Sequence, residues 1–557
     1  VQAGTAVGRL ALFVGLLVGG LAGCAAFNDY QTTGQLKLAG LEAPARVVRD
    51  EKGMAYIYAD NLGDAFLALG FVTAQDRLFQ MELTRLVAAG RISDLAGAKT
   101  LPLDRRMRTI GIYRLAARHA AMLDAESRGL LEAYGAGVNT YIRAHADSHH
   151  LEFKLSGLLP EPWTVSDALS VLYYMSWSSS ANIKTEIIAQ MLIEKLGLSR
   201  AQRLFPLNIN PDEVPPPGGS PTKTHAAAGV DPSIDARITG YLATAPGGIG
   251  SNNWAAGPRY AASGRPVVAN DPHLDGRILP GPWYPCGLIT PTLRIVGAHV
   301  PGVPVMPVYR SEHLAVGVTN AYGDVQDLYI ETLDPLDGDR YMEGGHSRPF
   351  TIIEETLRYR DEKTPGVLAE EKLTIRTTRR GPVVSGVFKA LGDKQVISLR
   401  WAAVEAAQPA FRIFDAMQAR SVEAFQDAIR AWYAVSLNFV SADSQGNIGW
   451  LVSGQLPVRA NGDGTVPLAV VDGSDNWTGW IPFAQMPRAV NPERGWLGTC
   501  NQKTVSADYP YYYSSYFSSS YRYRRLKTLM QPARPLEPDD HYAFQRDTLN
   551  LMAVRLA

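Results

Sequence analysis

Over residues 64–87 apolar positions recur at helical spacing around charged ones, which predicts one or two helices. The same period over 112–146 and 165–195 predicts two further helical regions, the second carrying Asp167, Glu186 and Glu194. The pattern then breaks. Residues 206–225 include Pro215-Pro216-Pro217-Gly218-Gly219-Ser220-Pro221, too rich in Pro and Gly to sustain a helix or a central strand. Residues 226–250 are small and loop-like. Beyond Ser251, short apolar runs separated by Gly, Pro, Asn and Asp predict strands at 253–256, 266–269, 294–299, 314–318, 328–331, 396–400, 439–442 and 449–452. Helical spacing returns at 409–418, 422–433 and 539–557. Helix-rich and strand-rich blocks together predict a layered α+β enzyme.

The 557 residues can bury a large core. Lys plus Arg and Asp plus Glu both number 54, and no basic tract occurs, which argues against a nucleic-acid partner. Residues 10–27 are apolar or small throughout, behind Arg9, as in an export signal or a marginal membrane helix. Leu21-Ala22-Gly23-Cys24 resembles a bacterial lipoprotein cleavage box. That predicts a signal peptide over 1–23, a lipid on Cys24, and a periplasmic location or one at the periplasmic face of a membrane. The alternative is an ordinary signal cut after Ala26. Cys286 and Cys500 are the other two cysteines and could form one disulfide in an oxidising compartment. No Cys/His cluster has zinc spacing.

The chemistry concentrates at Gly250-Ser251, inside GGIGSNNWAAG. Taken alone, Gly-Ser before a mixed run reads as a turn. Cut between the two, Ser251 carries both a hydroxyl and its own α-amine, which titrates near pH ~8 and can accept the hydroxyl proton. Ser251-Asn252-Asn253-Trp254-Ala255-Ala256-Gly257 with Asn270-Asp271-Pro272-His273-Leu274 resembles the β-chain start of the penicillin acylase family of N-terminal-nucleophile (Ntn) hydrolases, which includes acyl-homoserine-lactone and cephalosporin acylases. The resemblance runs from about Pro44 to the end. Arg49-Asp50, Tyr58-Ala59-Asp60 and Ala74-Gln75-Asp76-Arg77 fit its α-chain opening, and Pro160-Glu161-Pro162-Trp163 its middle. Val316-Gly317-Val318-Thr319-Asn320, Asp324-Val325-Gln326-Asp327 and Asn491-Pro492 through Gly495 fit its β-chain.

The resemblance implies a four-layer αββα core with two antiparallel sheets, an α-chain over 24–225, a removed spacer over 226–250 whose start is uncertain, and a β-chain from 251 to 557. The family's β-chain generally continues further, which implies more chain after Ala557. It implies that Ser251 attacks a linear amide after the chain has cut itself, that His273 orients the serine more than it acts as a base, and that Asn320 (backbone N–H) and Asn438 (side-chain NH₂) bind the oxyanion. Arg459 would steady the asparagine network. Asp324 and Asp327 are close enough in sequence for oxygen-only ligation of Ca²⁺; the resemblance adds Glu186 and the Gln326 backbone carbonyl, giving one structural calcium per αβ heterodimer.

Trp177, Tyr174, Trp283, Tyr284 and Phe439 are either acyl-pocket walls or core. Ser178-Ser179-Ser180 departs from the larger polar residues of the characterised penicillin G enzymes, so the implied substrate is a small N-acylated amine, with β-lactams and acyl-homoserine lactones as candidates. The competing readings are a non-catalytic envelope protein of the same fold and an uncut, inert precursor.

Overall fold

A computed structural model describes residues 31–200 and 250–556, except 32, 181, 198, 275–278, 362–366, 389–390, 392–394, 461–463, 471–476, 507, 515 and 533. The expected signal peptide, Cys24, the Pro/Gly-rich stretch and the spacer up to residue 249 lie outside the described residues.

The first periodic segment is one continuous helix, Leu62–Ala88, capped by the Asn61 side chain accepting from the Asp64 N–H at 2.8 Å. The second divides into Ile112–Met122 and Ala125–Ala144, because Asp124 caps a new helix start through the Ser127 N–H. The third divides into Val165–Ser179 and Asn182–Leu196. Leu62–Ala88 and Ala125–Ala144 cross in direct backbone contact: a Cβ on Gly70 would lie 2.0 Å from the Tyr134 carbonyl oxygen, and one on Gly137 1.9 Å from that of Leu67. Alanine at either position would force the helices apart.

These helices pack on a nine-stranded sheet ordered Arg46–Arg49, Ala55–Tyr58, Tyr284–Ile289, Arg294–Val300, Val303–Ser311, Leu314–Asn320, Leu437–Asp443, Ile448–Val452 and Arg488–Val490. It is antiparallel except where Ala55–Tyr58 runs parallel to Tyr284–Ile289. This sheet joins the segments on either side of Ser251. A second, antiparallel sheet of Trp496–Thr499, Gly250–Ala256 and Val267–His273 lies over the strands Leu314–Asn320 and Leu437–Asp443. Helices Tyr521–Leu529 and Pro538–Gln545 cover its outer face. The layers run helix, sheet, sheet, helix.

Strand alternation sorts the second sheet's side chains. Trp254 and Ala256 pack outward with Leu526, Met530 and Leu536, while Ala255 packs inward with Val440, Ala442 and Ile448. By the same alternation Ser251 and Asn253 face inward, between the sheets. Among the described residues no helix is long and apolar enough to cross a membrane.

Candidate active site

Ser251 is 8% exposed and sits one residue inside the start of its strand. Its backbone N–H donates to Asn501 Oδ1 at 2.6 Å, and Asn501 Nδ2 donates to the Asn320 carbonyl at 2.9 Å. That carbonyl also accepts Asn438 Nδ2 at 3.2 Å, and the same NH₂ reaches Thr319 Oγ1 at 3.2 Å. Ser251, Asn320 and Asn438, which are 69 and 118 residues apart along the chain, thus form one hydrogen-bonded cluster closed by Asn501. The amide orientations follow from chemistry: Asn438 Oδ1 faces the Trp450 indole N–H, and Asn501 Oδ1 faces the Ser251 N–H and an Arg522 guanidinium, all of them obligate donors.

Asn253 ties the two sheets together behind the serine. Its Oδ1 accepts Thr499 N–H and Oγ1–H at 3.1 and 2.7 Å, and its Nδ2 points at the carbonyls of Gly317 and Asn438. Each of these groups is buried, so losing one partner would strand the other.

His273 stands opposite Gly250 in the register, on the outward side of the strand pair. Its Nε2 lies 3.0 Å from Asp271 Oδ2 and 3.3 Å from Asn252 Nδ2. It is held on the strand next to that of Ser251 but makes no contact with Ser251 itself. Gly250 is extended rather than strained. What needs glycine there is space, because a Cβ would sit 2.7 Å from Arg522 Nη2 and 3.3 Å from Asn501 Oδ1.

Glu186, Asp324 and Asp327 are buried, each with a carboxylate oxygen within 4.8 Å of the others. Glu186 Oε2 accepts the Leu328 N–H at 3.0 Å while Oε1 is unpartnered, and neither Asp324 oxygen accepts a well-formed hydrogen bond. Burial, followed by the Asp327 and Asp324 charges, pushes the Glu186 carboxyl well above its ordinary range, and burial does the same to Asp324. Arg459 belongs to this cluster. It grips Asp327 with Nε and Nη2 at 2.8 Å each and lies 3.2 Å from Asp324 Oδ1. It makes no hydrogen bond to Asn438, so the expected role in the asparagine network is replaced by charge balance in the acidic cluster. Burial opposes its cation, but the two aspartates outweigh that and hold it protonated. Three carboxylates against one guanidinium, with orphaned buried oxygens, fit a hard divalent cation. The Gln326 side chain is also buried, with both amide atoms unpartnered.

The aromatic candidates separate. Phe439 is core, edge-on to Phe425 at 5.5 Å and beside Trp432. Tyr284 is also buried, with its hydroxyl donating to Asp76 at 2.5 Å. Trp283 is partly buried against the main core. Tyr174 and Trp177 lie near the end of helix Val165–Ser179, whose Ser179 carbonyl accepts Asn320 Nδ2 at 2.7 Å, and Trp177 packs edge-on to Trp401. Cys286 and Cys500 are both buried and free, so no disulfide joins them.

Asn501 and Arg522 have no counterpart in the sequence reading. Arg522 Nη1 donates to the Ser251 carbonyl and to Asn252 Oδ1 at 2.6 Å each, and Nη2 donates to Asn501 Oδ1 at 2.9 Å. They come from segments some 250 residues beyond the serine. The one local signal is backbone: Asn501 has φ +63°, which asparagine tolerates better than most residues. Tyr322, just past Asn320, has φ +54°, a strained value for an aromatic residue.

The sequence matches the penicillin amidase family over residues 44–557, and the chain belongs to that family. The helix–sheet–sheet–helix layering is that of its Ntn-hydrolase fold. The chain is 33% identical over 528 residues to penicillin acylase 2 proenzyme of Pseudomonas sp. (strain SE83), covering 93% of this chain and 66% of that protein. It is 30% identical over 576 residues to acyl-homoserine lactone acylase QuiP of Pseudomonas aeruginosa, covering 99% and 66%. Among solved structures, thermostable penicillin G acylase from Alcaligenes faecalis aligns with a TM-score of 0.45 at 26% identity, over 53% of this chain and 51% of that one. The chain thus spans 66% of the length of these two curated relatives.

Proposed function

We propose that this protein is an N-acyl amide hydrolase that cuts itself before Ser251 and then uses Ser251 as an N-terminal nucleophile. The observation carrying this is the cluster in which the Ser251 nitrogen, through Asn501, is joined to Asn320 and Asn438. In self-cleavage the Ser251 hydroxyl attacks the Gly250 carbonyl, the acyl group moves from N to O, and water hydrolyses the ester. In turnover Oγ attacks the substrate's acyl carbon while the freed α-amine takes the hydroxyl proton. The Asn320 backbone N–H and one Asn438 N–H, released from Thr319 Oγ1 or the Asn320 carbonyl, meet the developing oxyanion. The proton passes to the departing amine, and water, deprotonated by the same α-amine, releases the acyl group as an acid. His273, whose Nε2 lies within reach of Asp271 Oδ2 and Asn252 Nδ2 and bonds one of them at a time, stiffens the strand pair that carries Ser251.

The same reading makes 24–225 the α-chain, 226–250 the removed spacer and 251–557 the β-chain of a heterodimer, exported on its apolar leader to the periplasm and anchored there if Cys24 is lipidated. Glu186, Asp324, Asp327 and the Gln326 carbonyl would hold one Ca²⁺. Bound there, the ion supplies positive charge that fixes segments from both future chains, with no part in bond cleavage.

The relatives' names supply the substrate classes, acylated penicillins and acyl-homoserine lactones, which share a linear amide between an acyl chain and a small amine. The test is release of free amine from phenylacetyl amides and from N-acyl-homoserine lactones of increasing chain length. Turnover of one series by the wild type, absent from Ser251→Ala, supports the reading; no turnover of any member by a correctly cut protein overturns it.

A further inference from the structure

Trp254 follows Ser251 on the same strand, with its side chain in the outer layer. Its indole N–H donates to His541 Nδ1 at 2.9 Å, and His541 lies on helix Pro538–Gln545. Both side chains are buried, at 2% and 4% exposure, with their ring planes 24° apart. An indole nitrogen only donates, so Nδ1 is the bare nitrogen of the imidazole and Nε2 carries its one hydrogen. Nε2 is buried and has no hydrogen-bond partner among the described residues. The bond therefore requires a neutral ring. A proton on Nδ1 would set two donors against each other and leave a buried charge without a partner.

We propose that His541 is an acid-sensitive latch, which releases the outer helices Tyr521–Leu529 and Pro538–Gln545 from the nucleophile's strand when its ring takes up a proton. The latch operates in the cut and the uncut chain alike. Pro538–Gln545 is otherwise tied to the second sheet by Gln545 Nε2 donating to the Asn270 carbonyl at 2.9 Å and by the packing of Phe544. The charged groups around the ring do not take over from the lost bond. Asp540, on the same helix, favours the proton, but Arg534 engages it and burial outweighs it, which lowers the pKa of the ring. On strand Val267–His273, Asp271 lies against His273. On helix Tyr521–Leu529, Arg522 is bonded to the Ser251 carbonyl, Arg525 is paired with Asp547 and Lys527 lies over the Tyr523 ring. Tyr260 donates to the Arg494 carbonyl and Tyr523 accepts from the Arg494 guanidinium, while burial keeps the Cys500 thiol neutral. No described carboxylate forms an ion pair with His541. The unfolded segment takes up the proton first, so the latch holds fully above pH ~6.5 and weakens as pH falls below it.

The test is hydrogen–deuterium exchange of the expressed protein at about pH 7.5 and about pH 5.5, corrected for the intrinsic rate and read by mass on peptides from 521–556. Peptides from helix Ala125–Ala144 serve as the reference. Opening of the 521–556 segment should rise about tenfold over that interval, the effect of one proton, while the reference changes less than about twofold. His541→Asn offers an amide oxygen that accepts the indole N–H and does not titrate, so its segment should show no rise. His541→Phe leaves the indole unpaired at every pH, so its segment should open equally at both. A flat wild type overturns the proposal, as does an equal rise in the reference helix or a full rise in His541→Asn. If the asparagine variant does not fold, a tenfold rise that persists in His541→Phe overturns it equally.

Discussion

Trp450 donates its indole N–H to Asn438 Oδ1 at 3.1 Å, which turns the amide's NH₂ end towards Asn320 and Thr319. The tryptophan is one strand over, paired across the register with Val440. In the oxyanion role proposed above, Asn438 needs its orientation fixed before charge develops, and this bond fixes it.

Asn438→Ala should therefore lower kcat about 10²–10³-fold, or ~3 kcal/mol of transition-state stabilisation, with KM little changed. Trp450→Phe keeps the amide but frees it to turn, so its loss should be smaller. Steady-state kinetics on cut protein, with cutting verified by mass, separates the two.

Gly250→Ala places a methyl 2.7 Å from Arg522 Nη2 and 3.3 Å from Asn501 Oδ1. The far end of the arginine can move, so folding should survive while the Ser251 carbonyl and nitrogen lose their clamp. Self-cleavage followed on a gel should slow at least tenfold, with the melting temperature nearly unchanged.

Chelation should lower the melting temperature, and added Ca²⁺ should restore it. With the ion at about 100 times its Kd, binding to the folded state alone contributes about 2.7 kcal/mol. Glu186→Gln and Asp324→Asn should remove the response to both chelator and calcium, since these two carboxylates carry the buried oxygens that accept no well-formed hydrogen bond.

His299 ties the helical segment to the large sheet. Its Nε2 meets Thr73 Oγ1 at 3.2 Å and its Nδ1 donates to the Val300 carbonyl at 3.0 Å. Burial depresses its pKa from 6.5 to about 4. The neutral ring's contribution is fully present above pH 6.5 and is lost as pH falls towards 4, because the unfolded chain takes up the proton first. That window should cost up to about 3 kcal/mol. His299→Gln should flatten this stretch of the melting temperature against pH, whatever it does to stability at pH 8.

Much of this was legible in the sequence, for identifiable reasons. The 64–87 period gave the helix Leu62–Ala88, and the strand expected at 253–256 is the end of Gly250–Ala256. Tyr284–Ile289 and Val303–Ser311 were not read as strands, because Pro285, Pro304 and Pro307 interrupt them, yet both lie inside the large sheet. The acidic pair at 324 and 327 pointed to the cluster that Glu186 completes. Arg459 was placed with the wrong partners, since nothing local says whether an arginine will meet an amide or a carboxylate. Asn501 and Arg522 were missed altogether. Their contacts with Ser251 span 250 and 271 residues and exist only once the two sheets and the outer helices have packed.

The central claim is that the 250–251 bond is cut by the serine that follows it. Intact mass and N-terminal sequencing of the expressed protein, beside Ser251→Ala, test it most directly. The account predicts a fragment beginning Ser-Asn-Asn-Trp in the wild type and its absence from the variant. A single uncut chain in both, or the same cut in both, would contradict it.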